Sequence, residues 1–415
     1  MGGFPVAGSA SVSLARNLRA KRALCPMEVI MSYSSCGRVL VRSMLFGAAL
    51  LLVRPVEGKP QAITPAAVPQ PGQRAERWQA PKGPFEVATL ERITLHDATR
   101  KKDLEATLRF PVVSGPDAMA SRFPLIIFSH GMGGSRTAFA ELSEFWASHG
   151  YVVVHPTHSD SLELQKRADP KAGRGFMTDP RAYTKNVDPA DRLADVKFLL
   201  DSLDAIEAFD QRLGTKEGGR IDSERIGMAG HSAGALTTQM AIGVGVRGLR
   251  GLADGESFRQ RMAVRSVGDA RIDVGVIISG QGTTSRMLTK DSWLKVSVPT
   301  LTITGSKDTS RASNETPESR RHSFEFAPGV AKGGQPAYLL WLEGATHGSY
   351  QGKGLSSLLG EGNVAGLDII VRATKVGTLA MLDAYLKNDE VAIALLKDSD
   401  AAERATEGLG TIEHK

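Results

Sequence analysis

The chain has 415 residues, of which 41% are hydrophobic and 23% are charged, and its formal net charge is +6. This hydrophobic fraction excludes a disordered chain, and the 44 Gly and 20 Pro follow no collagen-like period. Residues 1–58 contain seven Lys or Arg and two Glu, a net charge of +5, so the rest of the chain carries only +1. A nearly neutral body gives no electrostatic reason to expect DNA or RNA binding.

The N-terminal extension, residues 1–58, has the pattern of a secretory signal. Ser43 to Val53 is an apolar run of 11 residues that follows Arg38 and Arg42. The run is too short to span a bilayer comfortably. We therefore expect export to the periplasm or the medium, with no stable membrane span after cleavage. A buried hydrophobic helix and an uncleaved anchor are the alternatives.

Both cysteines, Cys25 and Cys36, lie in this extension. The mature chain would then hold no disulfide and no thiolate metal site. Residues 59–84 are rich in Pro, Ala and Gln, and this composition is typical of an extended linker.

Strand and helix patterns alternate after the linker. In chain order, strands are expected at 85–95, 104–110, 124–129, 151–155, 225–229, 272–279, 299–304 and 337–342, and helices at 137–149, 191–203, 233–242 and 366–386. The first two strands flank a polar turn and predict an N-terminal β-hairpin. The later alternation predicts an α/β domain, residues 85–388, with a mostly parallel central sheet and helices on both faces. Residues 389–415 are expected to form a C-terminal tail.

The run Gly230-His231-Ser232-Ala233-Gly234 fits G-x-S-x-G and lies between a strand pattern and a helix pattern. That context is typical of a nucleophile elbow, a sharp turn that presents a serine hydroxyl above the sheet. Any side chain in place of either glycine would crowd the turn. Ser232 is therefore the candidate nucleophile, and a glycine-rich turn that merely contains a serine is the alternative.

A serine nucleophile needs a general base, and the base needs an orienting acid. In the order Ser, Asp, His, the candidates are Asp308 as the acid and His347 as the base, and each directly follows an expected strand. Parallel strands bring such positions to one edge of the sheet. Asp291 and Glu343 are the fallback acids.

The oxyanion hole is expected to combine two backbone N–H groups. One belongs to Ala233, directly after the candidate nucleophile. The other belongs to the glycine-rich loop 130–134 (HGMGG), which follows an expected strand. Met132 is the second donor, with Gly131 as the fallback.

Several histidines lie near these loops. His130, His231 and His158 are candidates for the substrate pocket. His155, His158 and Asp160 could be metal ligands, but the two histidines at i, i+3 lack a clear third partner, so no metal is expected.

Three segments look like insertions that could cap the serine: 158–189, 243–271 and 309–335. The glycines at 243–248 also match G-x-G-x-x-G, but they follow a helix rather than a strand, which argues against a dinucleotide site.

The motifs FSHGMGGSRTAF, ASHGYVVVHPTHSDS, GHSAGA, GSKD and ATHGSY together resemble the α/β-hydrolase superfamily. Within it, the chain is similar to bacterial relatives of the plasma-type platelet-activating factor acetylhydrolases, which are often labelled predicted dienelactone hydrolases. The resemblance covers residues 85–386. Two features differ: dienelactone hydrolases use a cysteine nucleophile where this chain has Ser232, and the animal enzymes carry a bulky aromatic residue where this chain has Ala233.

The resemblance implies a cofactor-free serine esterase that acts on small esters with short acyl groups and takes part in lipid degradation. It assigns the triad to Ser232, Asp308 and His347, and the oxyanion donors to Met132 and Ala233. A lipase or polyester hydrolase and a peptidase or amidase are alternatives on the same fold. A catalytically silent binding protein is a third, which the complete set of Ser, Asp and His disfavours.

Overall fold

The computed structural model describes residues 78–113, 121–176, 178–215, 218–249 and 257–415. All of them belong to one unit, residues 65–415. The expected signal segment, both cysteines and residues 59–77 of the expected linker lie outside the described residues.

Within these described ranges, nine strands form one sheet: β1 (Glu86–Asp97), β2 (Lys102–Val112), β3 (Phe123–Ser129), β4 (Val152–Pro156), β5 (Ile221–His231), β6 (Val274–Ile278), β7 (Thr300–Lys307), β8 (Ala337–Thr346) and β9 (Gly410–His414). Their spatial order is β1-β2-β4-β3-β5-β6-β7-β8-β9. The six strands from β4 to β8 in this order are parallel, while β1, β2 and β9 pair antiparallel with their neighbours. The predicted mostly parallel sheet is confirmed.

The helices of the described residues are α1 (Ala140–Ser148), α2 (Leu162–Ala168), α3 (Pro180–Tyr183), α4 (Pro189–Asp201), α5 (Leu203–Glu207), α6 (Ala233–Ala241), α7 (Phe258–Met262), α8 (Pro317–Arg320), α9 (His322–Glu325), α10 (Lys353–Leu358), α11 (Leu367–Leu386), α12 (Glu390–Leu395) and α13 (Ser399–Ala405). Short 3-10 turns occur at Thr184–Asn186, Lys290–Trp293, Val330–Lys332 and Ser349–Gln351. A separate ladder pairs Gly214–Thr215 with Gly218–Gly219. No helix in the described part of the chain is long and apolar enough to cross a membrane.

Both faces of the sheet are covered, as the continuous apolar run of β3 predicts. Every residue of β3 is buried. Ile126 and Phe128 pack in one hydrophobic cluster, with residues of α1 and α11. Leu125 and Ile127 point to the opposite face and pack in a second cluster, with residues of α4 and α6. Alternate side chains of one strand thus supply both cores.

The predicted N-terminal hairpin is also confirmed, since β1 and β2 pair from Glu86–Val112 to Asp97–Lys102. The side chain of Asp97 closes the turn by accepting the backbone N–H groups of Thr99 and Arg100, each at 3.0 Å. This local hydrogen bonding is the reason that Asp favours turns.

Two expected boundaries differ from the structure. Trp78 is buried and packs in the core, and Gly83 donates its N–H to Ser148 Oγ, so residues 78–84 are part of the folded unit rather than a linker. The expected tail, 389–415, contains α12, α13 and β9, and its apolar Ile412 is buried. The helices and the strand in the second segment have only five to seven residues each, too few for a clear periodic pattern, and packing against the rest of the domain stabilises such short elements.

Candidate active site

The turn between β5 and α6 has the backbone of a nucleophile elbow. Ser232 adopts φ 56° and ψ −116°, a strained combination for a residue with a side chain. A Cβ on Gly230 would collide with the backbone of Gly234, and a Cβ on Gly234 would collide with the backbone of Ser129. The crowding expected at both glycines is therefore present.

The structure brings Ser232, Asp308 and His347 together at the carboxyl ends of β5, β7 and β8. His347 Nε2 lies 2.9 Å from Ser232 Oγ, and His347 Nδ1 lies 3.0 Å from Asp308 Oδ1. Asp308 directly follows β7, and His347 directly follows β8. The fallback acids are placed differently: Asp291 lies in a 3-10 turn, and Glu343 accepts a hydrogen bond from Ser306.

Asp308 is completely buried and is held as a carboxylate. Ser279 donates to Oδ1 at 2.8 Å, while Tyr350 and Thr304 donate to Oδ2 at 2.8 Å and 3.0 Å. Burial by itself would raise the pKa of Asp308. The nearby charge of Arg320 and the hydrogen bonds from His347 and Ser279 outweigh burial and hold the pKa well below its usual value. The carboxylate therefore stays ionised at neutral pH.

The loop that carries His347 is fixed from two sides. His231 Nε2 donates to the backbone oxygen of His347 at 2.7 Å. Burial, followed by the charge of His347, lowers the pKa of His231 to about 3, so His231 remains a neutral donor. On the other side, the Glu361 carboxylate accepts the N–H of Gly348 at 2.9 Å and the hydroxyl of Thr346 at 2.7 Å.

A cavity of about 740 Å³ opens above Ser232. Met132, Ala233 and His231 line it beside the serine. The remaining walls are mainly apolar and come from several loops and helices, including Phe139, Leu162, Phe176, Val187, Leu236, Met287, Leu355, Leu358 and Leu359. The volume is within the range of small-molecule sites.

Two of the three expected insertions contribute to this cavity. The first, 158–189, supplies residues around α2 and α3, and the third, 309–335, supplies residues 309–313. No described residue of the second, 243–271, lines the cavity. Residues 351–361, around α10, also form a wall and are missing from the sequence expectations because they carry no motif.

His130 and His158 do not line the cavity, which corrects their expected place in the substrate pocket. Both side chains are completely buried. His130 Nδ1 lies 2.7 Å from the backbone oxygen of Gly131, and His158 Nδ1 lies 2.8 Å from Asp195 Oδ2. Of the three candidate histidines, only His231 reaches the cavity.

The same contacts account for His158 and Asp160 in the motif HPTHSD, while both ring nitrogens of the buried His155 have no hydrogen-bond partner in the residues that the structure describes. His158 uses both ring nitrogens in hydrogen bonds with Asp195 and Ser129, and Asp160 pairs with a buried arginine. Among the described residues, no three His, Cys, Asp or Glu side chains are grouped so as to hold a metal ion.

Four residues that contact Asp308 or the His347 loop were not predicted from the sequence: Ser279, Arg320, Tyr350 and Glu361. Ser279, Arg320 and Glu361 belong to no recognisable motif, and although Tyr350 ends the motif ATHGSY, that motif does not predict its contact with Asp308. Only folding brings them to Asp308 and to the His347 loop.

The family model described as platelet-activating factor acetylhydrolase, isoform II, matches residues 94–166. The matched segment runs from the end of β1 to α2 and contains the glycine-rich loop 130–134. The matched family lies in the α/β-hydrolase superfamily, and the mostly parallel nine-stranded sheet of the described residues is consistent with that fold. The match supports an ester hydrolase in general terms; Ser232, Asp308 and His347 lie outside it. No curated protein matches the chain.

Proposed function

We propose that this α/β-hydrolase cleaves carboxylic esters through a covalent acyl-enzyme, with Ser232 as nucleophile, His347 as general base and acid, and Asp308 as the orienting acid. The observation that carries the proposal is the continuous hydrogen-bonded line from Ser232 Oγ to His347 and on to Asp308, at 2.9 Å and 3.0 Å. These are the distances that proton transfer from a serine requires.

In the acylation half-reaction, Ser232 Oγ attacks the carbonyl carbon of the ester while its proton moves to His347 Nε2. The buried carboxylate of Asp308 stabilises the imidazolium and fixes its orientation. The tetrahedral intermediate then collapses, its bond to the alcohol oxygen breaks, and His347 returns the proton to the departing alcohol. The acyl group remains on Ser232.

The negative oxygen of the intermediate needs hydrogen-bond donors. Ala233 is the first residue of α6, where backbone N–H groups have no partner within the helix. Met132, in the loop 130–134, lines the same cavity as Ala233. We propose their N–H groups as the two donors, each worth about 3–4 kcal/mol in the transition state.

Deacylation repeats the same steps with water. His347 removes a proton from the water, the resulting oxygen nucleophile attacks the acyl carbon, and the acid leaves as Ser232 regains its proton. No cofactor takes part.

The proposed substrates are esters with a short acyl group. A lipase-type activity on longer chains is the second candidate, because the cavity of about 740 Å³ has walls formed by Leu162, Phe176, Leu236 and Leu355. Such walls favour apolar groups larger than acetyl.

A series of p-nitrophenyl esters from acetate to palmitate tests both candidates. We expect the highest kcat/KM on the short esters and loss of activity in Ser232→Ala, but not in Ser357→Ala, which changes an exposed serine of α10. A maximum at long chains would favour a lipase. Preference for amino-acyl p-nitroanilides would favour a peptidase. Absence of Ser232 labelling by a fluorophosphonate probe would reject the proposed function.

A further inference from the structure

The oxyanion loop, residues 130–134, rests on a buried polar network that the proposed reaction does not otherwise use. Five side chains beneath it are at most 1% exposed: Ser129, His158, Asp160, Arg192 and Asp195. Burying so many polar groups is unfavourable unless each is paired. Their pairing shows what the network holds in place.

The side chain of Arg192, from α4, binds the backbone of the loop 130–134. Its Nη1 donates to the carbonyl oxygen of His130 at 2.7 Å, and its Nη2 donates to that of Gly131 at 3.3 Å. The same guanidinium makes a two-point pair with Asp160, from Nε at 2.9 Å and from Nη2 at 2.8 Å. Such a planar fork fixes orientation as well as position.

The carbonyl of Gly131 belongs to the same peptide group as the N–H of Met132. Because a trans peptide is planar, its C=O and N–H point in opposite directions. A carbonyl held toward the buried Arg192 therefore turns the Met132 N–H away from the interior, toward the cavity that Met132 lines.

The side chain of His130 also binds the carbonyl oxygen of Gly131. The backbone N–H of His158 donates to His130 Nε2 at 3.0 Å, so the ring proton lies on Nδ1, which donates to the Gly131 oxygen at 2.7 Å. On the far side of Met132, Asp160 Oδ2 accepts the N–H of Gly133 at 3.0 Å. Both peptide groups that flank Met132 are thus fixed by buried side chains.

The network is anchored deeper in the domain by a buried line from Ser129 Oγ to His158 Nε2, at 2.9 Å, and from His158 Nδ1 to Asp195, at 2.8 Å. Although this arrangement has the order of a catalytic triad, all three side chains are inaccessible to a substrate. Asp195 also binds Arg100 and Lys102, at 2.7 Å and 2.8 Å, which connects the line to the β1–β2 hairpin.

We propose that Arg192, together with Asp160, is a positioning residue that aims the Met132 N–H at the developing oxyanion. The inference rests on the function proposed above. In this role Arg192 acts only through the loop 130–134 and does not contact the substrate. Arg192→Lys keeps the positive charge but lacks the planar set of donors of a guanidinium. The variant therefore loses the hydrogen bonds that orient the loop while the cation remains.

A pair of substrates that differ in one atom tests this role. An ester forms an oxyanion that accepts two aligned N–H groups, whereas the matching thionoester forms a larger thiolate-like centre that accepts them poorly. The ratio of kcat/KM for ester and thionoester therefore reports donor alignment. Because it is a ratio, it does not depend on the fraction of the sample that is correctly folded.

We expect Arg192→Lys to lower this ratio and to lower kcat on the ester by about 10- to 100-fold, less than the 10²- to 10³-fold typical when a donor is removed entirely. KM should change little. Asp160→Asn should lower the ratio in the same direction and serves as the test if Arg192→Lys yields no soluble enzyme. Arg109→Lys, at another buried arginine outside the network, should leave the ratio at the wild-type value.

An unchanged ratio in the Arg192 variant, or in the Asp160 variant where that is the one obtained, overturns the positioning role even if stability falls. A different result would reject the proposed function itself: esterase activity that is retained in Ser232→Ala.

Discussion

Arg320 Nε lies 3.0 Å from Asp308 Oδ1, and both side chains are completely buried. Arg320 also donates to the backbone oxygens of Ser279 and Gly280, at 2.7 Å and 2.9 Å. Because Arg320 is the last residue of α8, it ties the 309–335 segment to the acid of the proposed triad.

Arg320→Met should destabilise the protein by about 3–5 kcal/mol, since it leaves the buried Asp308 carboxylate without its cationic partner. Arg321→Met is the matched control. It removes partly exposed pairs with Glu325 and Glu413 and the stacking on Trp341, together about 1–2 kcal/mol. Urea unfolding at pH 7 measures both. Equal losses for the two variants would contradict the importance of the buried pair.

Ser279 and Tyr350 each donate to the Asp308 carboxylate at 2.8 Å, but only Ser279 Oγ also lies 2.8 Å from His347 Nδ1. Ser279→Ala and Tyr350→Phe should therefore lose similar stability, about 1.5–3 kcal/mol each. We expect Ser279→Ala to lower kcat about tenfold more than Tyr350→Phe, the equivalent of about 1.4 kcal/mol. Steady-state kinetics measure kcat, and urea unfolding measures the stability of both variants. Equal kcat values for the two variants would contradict the greater importance of Ser279 for catalysis.

His231 should make the protein sensitive to acid. Its pKa is about 3 in the folded state, where burial and then the charge of His347 disfavour protonation, against about 6.5 in an unfolded chain. Below pH 6.5 the unfolded state binds the proton first, so the free energy of unfolding falls by up to about 1.4 kcal/mol per pH unit from this residue.

His231→Gln, whose amide can still donate to the His347 oxygen, should show a shallower fall in urea titrations at pH 7, 6 and 5. The other buried histidines are present in both proteins, so the difference isolates His231. Parallel profiles would mean that His231 contributes nothing to acid sensitivity.

Gly234→Ala should abolish the folded elbow, because its Cβ would collide with the backbone of Ser129 in the neighbouring strand. Gly354→Ala is the matched control: it lies on α10 with open space around it, and alanine is the better helix former by about 1 kcal/mol. We expect loss of soluble or active protein for the first and a thermal midpoint at or above wild type for the second. An active, stable Gly234→Ala enzyme would contradict the proposed elbow.

Local patterns in the sequence predict much of this molecule. The apolar run of β3, the helical period of α11 and the polar turn between β1 and β2 each report a structure that neighbouring residues determine. The order of Ser232, Asp308 and His347 after three strands predicts their meeting, because parallel strands end at one edge of a sheet. G-x-S-x-G also identifies its glycines, since the turn itself leaves no room for a Cβ.

Only the tertiary structure decided what surrounds these groups. Arg320 reaches Asp308 from a segment expected only as an insertion, and Ser279 reaches it from the end of an expected strand. Arg192 reaches the loop 130–134 from an expected helix whose pattern does not predict that contact. His130 and His158 are predicted to be pocket residues, yet both are buried and neither lines the cavity. The physical reason is that a buried charge or ring needs partners on several elements at once, and those elements become neighbours only when the sheet has formed.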